Sequence, residues 1–304
     1  MRRALWAFLC VAGCASEGAM SDAGSRSDAA MDASSIDAAI AADAPIAPLD
    51  AARDDDVPGE ERRDVIVAVG ANHARYLSVD TGYTWCFVAR ATEPDATGFD
   101  NPYLLRGVSF HEGRFVSGSW RALWVSENGF EWTDVTGEMQ PATRQWIAAV
   151  AYGNGWWVAT GGYGTAMRSR DLSTWEVVSD ELPGDEASRS LAFGAGMFVT
   201  ARDSVGWWSS TDGTAWAELD SSAGTEVRFD GTRFVEAPDY DEGHGVRLRV
   251  GWPDRIERAE GDATFERVAT VDDALTHFAF GSAPVADFTR ARLGDGLADC
   301  LDVR

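Results

Sequence analysis

From residue 64 onward the chain alternates apolar and polar positions in short runs, each ended by Gly, Asn or Asp, and the runs recur in a fixed order. One kind reads as an aromatic, a Gly-bearing turn, then an aromatic followed by Val. It appears as "VSFHEGRFVSG" at 108, "VAYGNGWWVATG" at 150, "LAFGAGMFVTA" at 191 and "VRFDGTRFVEA" at 227. Alternation bounded by such turns predicts paired antiparallel strands. Residues 147 to 179 show the whole unit, "IAAVAYG", "WWVATG", "TAMRSR" and "TWEVVS", which predicts a four-stranded meander.

A second motif runs in step with the first: "SVDTGYTW" ending at Trp85, "SENGFEW" at Trp132, "SRDLSTW" at Trp175 and "SSTDGTAW" at Trp216, with a worn "AEGDATF" ending at Phe265. Successive anchors lie 47, 43, 41 and 49 residues apart. That period fits a four-stranded propeller blade and exceeds a leucine-rich or ankyrin unit. The fold expected is therefore an all-β propeller of four-stranded blades. Asp80, Asn128, Asp171 and Asp212, with Ser78, Ser126, Ser169 and Ser210, fall between third and fourth strands. Their side chains can accept hydrogen bonds from nearby amides, while Gly82, Gly129 and Gly213 take positive φ without steric cost. Leu172 and Ser173 replace that glycine in the third copy, which predicts a different turn there. The tryptophans are expected to pack between neighbouring blades.

S-x-D-x-G-x-T-W, as Ser78 to Trp85 carry it, resembles the Asp-box, or bacterial neuraminidase repeat, of sialidases and of many non-enzymatic propellers. The resemblance spans nearly all of residues 64–304. It implies a structural turn away from any catalytic centre, and it assigns no catalytic residue. The Arg-x-Pro motif of sialidases does not occur. Inner strands are read near residues 110, 152, 193, 229 and 280. The simplest closure is five blades, with the C-terminal strand completing blade one; a sixth, shrunken blade at 275–304 is the rival.

The residues before the repeats set a compartment. "MRRALWAFLCVAGC" has a basic start and an apolar run too short to span a bilayer, the layout of a signal peptide. Val11 to Cys14 resemble the lipobox of bacterial lipoproteins, which implies cleavage after residue 13 and a lipidated Cys14. Ala15 and Ser16 follow, and by resemblance to enterobacterial sorting they favour the outer membrane of the cell envelope. Residues 15–63, rich in Ala, Asp and Ser and free of aromatics, cannot offset a backbone ordering cost of about 1–2 kcal/mol per residue and are read as a disordered tether.

The chain carries a formal charge of −23 and no Lys, which argues against a nucleic-acid partner and removes lysine-based phosphate binding. The histidines at 73, 111, 244 and 277 lack paired zinc spacing, there is no nucleophile elbow, and neither metal nor cofactor is expected. With Cys10 removed and Cys14 lipidated, Cys86 and Cys300 remain, and an even pair outside the cytoplasm predicts a disulfide.

In propellers the loops joining second to third strands share one face around the central channel. Here they are read at 71, 119, 161, 201 and 238, so that Trp120, Arg121, Tyr163, Arg202, Asp203, Tyr240 and His244 are expected to converge on a ligand. The function expected is a monomeric, membrane-anchored, non-catalytic binding or scaffold module for a glycan, peptide or protein. The alternatives are a carbohydrate-active enzyme with carboxylates in the funnel and an assembly factor for an envelope complex.

Overall fold

The computed structural model describes residues 60–90, 104–120, 122–135, 146–178, 182, 187–202, 205–220, 224–251 and 254–302. Cys14, the leader and the tether up to residue 59 lie outside them. Four-stranded antiparallel sheets follow one another along the chain. Blade one joins β1 (Arg62–Gly70), β2 (Arg75–Ser78) and β3 (Cys86–Ala89) to the last strand, β22 (Leu275–Pro284), in the order β22-β1-β2-β3. Blade two is β4 (Gly107–His111), β5 (Arg114–Ser119), β6 (Ala122–Ser126) and β7 (Thr133–Asp134). Blade three is β8 (Ile147–Gly153), β9 (Trp156–Gly161), β10 (Ala166–Ser169) and β11 (Glu176–Val177). Blade four is β12 (Ser188–Gly194), β13 (Met197–Arg202), β14 (Gly206–Ser210) and β15 (Ala217–Asp220). Then come a two-stranded hairpin, β16 (Val227–Phe229) with β17 (Phe234–Glu236), and a last four-stranded sheet of β18 (Asp241–Gly243), β19 (Val246–Gly251), β20 (Arg255–Glu260) and β21 (Glu266–Thr270).

The molecule is an all-β propeller with five four-stranded sheets, and the C-terminal strand completes the first of them. Strand β22 pairs antiparallel with β1 from Arg62↔Pro284 to Gly70↔Leu275. Two details differ from the sequence reading. The strand near 229 and the anchor at Phe265 belong to different units, because β16 and β17 stand apart and a very short strand, β18, supplies the inner edge of the last sheet. The extra unit is thus this hairpin and does not lie at 275–304, where β22 is followed by helix α1 (Arg290–Cys300). No helix among the described residues is long and apolar enough to cross a membrane.

Inner strands meet through a repeated close approach. A Cβ on Gly153 of β8 would collide with the Phe193 ring of β12, one on Gly194 with Phe229 of β16, one on Gly243 of β18 with Phe280 of β22, and one on Gly281 with Phe110 of β4. At each site a glycine lets the next inner strand's aromatic lie against it; Gly153, Gly194 and Gly243 end their strands, while Gly281 lies within β22. Between the hairpin and β18 the described contact is instead an ion pair, Arg228 to Glu242 at 2.8 Å.

The Ser–Asp turns join neighbouring sheets from outside. In the first, Asp80 Oδ1 accepts from the Tyr83 and Thr84 amides (3.1 and 2.8 Å) and from Ser78 Oγ (2.8 Å), which itself accepts from the Gly82 amide (3.0 Å). Trp85 Nε1 donates to the Gly82 carbonyl at 2.9 Å. Around Asn128 and Asp171 the same bonds recur, and Asp212 accepts from the Thr214 amide and hydroxyl, with Trp132, Trp175 and Trp216 donating to the carbonyls of residues 129, 172 and 213. The third turn does not differ as its sequence suggested: Leu172 takes φ 66°, alongside 86°, 85° and 78° at the three glycines. Its compensation is burial, for Leu172 is 2 % exposed and packs with Val116 and Leu123 of blade two. Each turn docks on the preceding sheet: Gly82 lies against Leu248, Gly129 against Val67 and Leu77, and Gly213 against Val158. Trp85, Trp132, Trp175 and Trp216 join the same interblade clusters. An aromatic so buried removes about 150–250 Å² from water, about 4–6 kcal/mol gross.

A disulfide joins Cys86 of β3 to Cys300, with Cα atoms 5.8 Å apart and 214 residues between them. Beneath it Phe288, Leu293, Ala298 and Leu301 pack into the cluster of Val65, Val67 and Leu77. Arg292 reaches from α1 to Glu131 and Asp287.

Three outcomes are expected. Leu172→Gly relieves a left-handed cost of about 1–2 kcal/mol but forfeits a buried leucine, and denaturant unfolding should show a net loss of about 1–3 kcal/mol; a gain would mean that the turn is strained beyond what its packing offsets. Cys300→Ser should lose about 2–5 kcal/mol, with a matching fall in midpoint when the wild type is unfolded in reductant. The third concerns pH. Burial lowers the His111 imidazole from 6.5 to about 4, and the Thr174 and Ser173 amides lower the Asp171 carboxyl from 3.8 to about 2. For Asp80, burial acts upward but is outweighed by bonds from Thr84, Ser78 and Tyr83, so its carboxyl is also lowered. Each group binds fewer protons folded than unfolded, so stability rises with pH. Denaturant midpoints should fall between pH 6.5 and 4 through His111 and further toward pH 2 through the turn carboxylates. His111→Gln should flatten the first segment and leave the second.

Candidate functional site

Successive inner strands all begin at one end of the ring, the end on which the second-to-third-strand loops open. There Leu104 and Arg106 lead into β4, Trp146 and Ala148 into β8, Ala187 and Arg189 into β12, Glu226 into β16, and Thr276 and His277 lie near the start of β22. Together they line a funnel cavity of about 350 Å³. The placement follows from register: Arg106, Arg189 and Thr276 each stand four residues ahead of an aromatic, Phe110, Phe193 or Phe280, that packs on a glycine of the preceding inner strand, and Ala148 stands four ahead of Tyr152. Arg106 is buried, its guanidinium lies 4.2 Å from the centre of the Trp146 ring, and its backbone amide donates to Gly118 at 3.0 Å. Trp146 in turn bridges to Trp120, which fixes the mouth of blade three to blade two. Thr276 Oγ1 donates to the Leu105 and Val69 carbonyls at 2.8 and 3.1 Å.

A side lobe of about 190 Å³ shares Glu226, Thr276 and His277 with the funnel and adds Asp239, Tyr240, Asp241 and Arg249. It lies where the two-stranded hairpin offers no outer strands to its neighbour. Asp241 Oδ2 accepts from the Phe278 amide at 2.9 Å. Burial raises the Asp241 carboxyl above the ordinary range, against the pull of His277 and the Phe278 amide. His277 Nδ1 is buried and has no hydrogen-bond partner among the described residues. Arg249 is engaged by Glu257 at 2.7 Å and Asp239 at 3.6 Å.

The residues read from sequence as a ligand face are placed as follows. Trp120 closes β5 at the funnel end, and Tyr163 stands 60 % exposed in the loop after β9. Arg202, at the end of β13, is 1 % exposed, so its guanidinium is not offered to solvent. Tyr240 lines the side lobe, with Arg247 stacked 5.2 Å from its ring. Arg121 and Asp203 lie outside the described residues. His244 goes to the other end of the ring. The pair His244 and Gly245, with φ 50° and 76°, forms the same tight turn between first and second strands as Glu112 and Gly113 or Asn154 and Gly155. There its Nε2 meets the Gly281 carbonyl at 2.9 Å, and it stitches the last sheet to blade one.

A larger cavity, about 570 Å³, lies at the opposite end between the turns of blades two and three and the C-terminal segment. Its charges answer one another: Arg292 meets Glu131 and Asp287, Arg114 meets Glu127 at 3.7 Å, and Asn128 donates to Glu131 and Asp287 at 3.2 Å. The smaller funnel, lined by the starts of five inner strands, is the candidate site. Among the described residues no group of three or more His, Cys, Asp or Glu side chains is arranged to hold a metal ion.

No family model matches the chain, and no curated protein matches it. Solved structures similar to it include YCF48 bound to D1 peptide, at 14 % identity over 66 % of this chain and 77 % of that one, with a TM-score of 0.40. An ancestral GH74 enzyme is similar at 15 % identity over 69 % of this chain, which spans 31 % of the enzyme, with a TM-score of 0.37. The WD40 propeller domain of Doa1 is similar at 14 % identity over 60 % of this chain and 59 % of that one, with a TM-score of 0.33.

Proposed function

We propose that this chain is a binding module of the Asp-box type, held at the cell envelope by a lipid on Cys14, and that its ligand seats in the funnel. The observation that carries the reading is the convergence of Arg106, Trp146, Arg189, Glu226 and His277, from five inner strands, on one cavity of about 350 Å³. A mostly apolar wall with a few placed polar groups is the usual construction of a ligand site. The repeated Ser–Asp turns face the other end and are consumed by their own backbone amides, which supports a purely structural part for them. The module acts by binding, as a single copy. A carbohydrate-active enzyme is the second reading, favoured by one observation: Glu226 and Asp241 line the same side lobe, as paired carboxylates must in a glycosidase.

The test is capture from solubilised envelope with the full-length chain as bait, beside a glycan array. The wild type should be recovered with membranes and retain a partner; Arg189→Ala, which removes an exposed side chain, should lose that partner at least tenfold while unfolding normally. Cys14→Ser should move the chain to the soluble fraction without changing capture. Retention of the partner by Arg189→Ala and by Glu226→Gln alike would overturn the funnel as the site. Hydrolysis of an array glycan that vanishes in both Glu226→Gln and Asp241→Asn would decide for the enzyme.

A further inference from the structure

The funnel and its side lobe carry opposite charge. Two guanidiniums, Arg106 and Arg189, and one carboxylate, Glu226, line the wider lobe. The narrower has three carboxylates, Glu226, Asp239 and Asp241, against Arg249, which Glu257 and Asp239 already engage. On a chain of net charge −23, arginines gathered at one mouth do not follow from composition. The two lobes share the Glu226, Thr276 and His277 wall, so a single ligand can touch both. A glycan fits this poorly. It would stack on an aromatic face, and Trp146, the tryptophan of the wider lobe, has a face covered by Arg106 at 4.2 Å. Asp241 is a half-buried carboxylate whose described hydrogen bond comes from one backbone amide, and a cation delivered by the ligand offsets the cost of its partial burial.

We infer that the funnel binds a zwitterion, a short free peptide whose carboxylate meets Arg106 and Arg189 and whose ammonium meets Glu226 and Asp241. This rests on the funnel being the binding site and goes beyond it by fixing the ligand's chemistry. Calorimetric titration of the full-length chain with trialanine, its N-acetyl form, its C-terminal amide and the doubly capped peptide, each to about 1 mM, tests it. Free trialanine should bind, and each cap should weaken binding at least tenfold. In Arg189→Ala, amidation should cost nothing further; in Glu226→Gln, acetylation should cost nothing further, which is the coupling expected of direct contacts. Equal binding of capped and free peptides, or no binding of any of the four, overturns the zwitterion. If envelope capture still depends on Arg189 in that case, the funnel remains the site and only the ligand class is lost. If it does not, both readings fall together.

Discussion

The docking of each Ser–Asp turn onto the sheet before it is the contact on which the rest of the ring depends. A carboxylate or amide oxygen gathers backbone amides of the turn, a residue one or two positions on takes positive φ, and that residue and the following tryptophan are pressed against the neighbouring sheet. Gly82 on Leu248 is the important instance, because it joins sequence-distant units, the last sheet and blade one. Arg258 supports the same seam, with Nε donating to the Thr81 carbonyl at 2.8 Å and its guanidinium 3.8 Å from the centre of the Tyr83 ring. The Cys86–Cys300 bond then lies one residue beyond that tryptophan, so the covalent clamp and the aromatic wedge secure one edge from its two sides.

Where that contact is missing, the molecule opens. The hairpin of β16 and β17 has no third or fourth strand, hence no turn and no tryptophan to press on blade four. Its apolar contribution is modest: Val227 and Phe234 pack with Val199, Ala201 and Trp207, and the edge toward β18 is held by Arg228 and Glu242. An ion pair between side chains that are a third to a half exposed contributes little, about 0–1 kcal/mol. The side lobe, with its half-buried Asp241, lies beside this junction. The modest packing at this unit and the charge gathered at the lobe therefore both accompany its two-stranded form.

Much of this was legible in the chain. The 41–49-residue spacing of the anchors follows from the physical length of a four-stranded meander, so it marked the sheets; the closing strand was legible from the inner strand that blade one lacks, and the disulfide from the pair of cysteines left after residue 14. What misled was local similarity. "VRFDGTRFVEA" is a sound copy of an inner hairpin, and "DYDEGHG" reads as a loop because a three-residue strand has no room to alternate. His244 was misplaced with it, although a residue at positive φ before glycine is the mark of the inner turn. At Leu172 the residue type predicted a changed turn, and burial overrode propensity. The funnel residues were hidden for another reason: they precede the alternating pattern, where one side chain per blade has no neighbour in sequence to announce it. The shared register, four residues ahead of Phe110 and Phe193, could have gathered Arg106 and Arg189 alone.

Topology also fixes which end of the ring is free. Strand β1 starts at Arg62, opposite Pro284, and β22 runs from the funnel at Thr276 to that same Pro284. The chain therefore enters the domain at the end of the Ser–Asp turns, beside the acidic cavity that Glu60 and Pro284 help to line. That entry point lies on the face of the domain opposite the funnel mouth. Under the proposed lipid anchor, the end nearest an anionic bilayer would be the one rich in carboxylates, which like-charge repulsion holds off the surface. The end presenting Arg106 and Arg189 would then meet the solvent from which a ligand arrives. Entry point, repulsion and funnel placement thus favour one orientation, and none of the three requires a contact between the domain and the membrane.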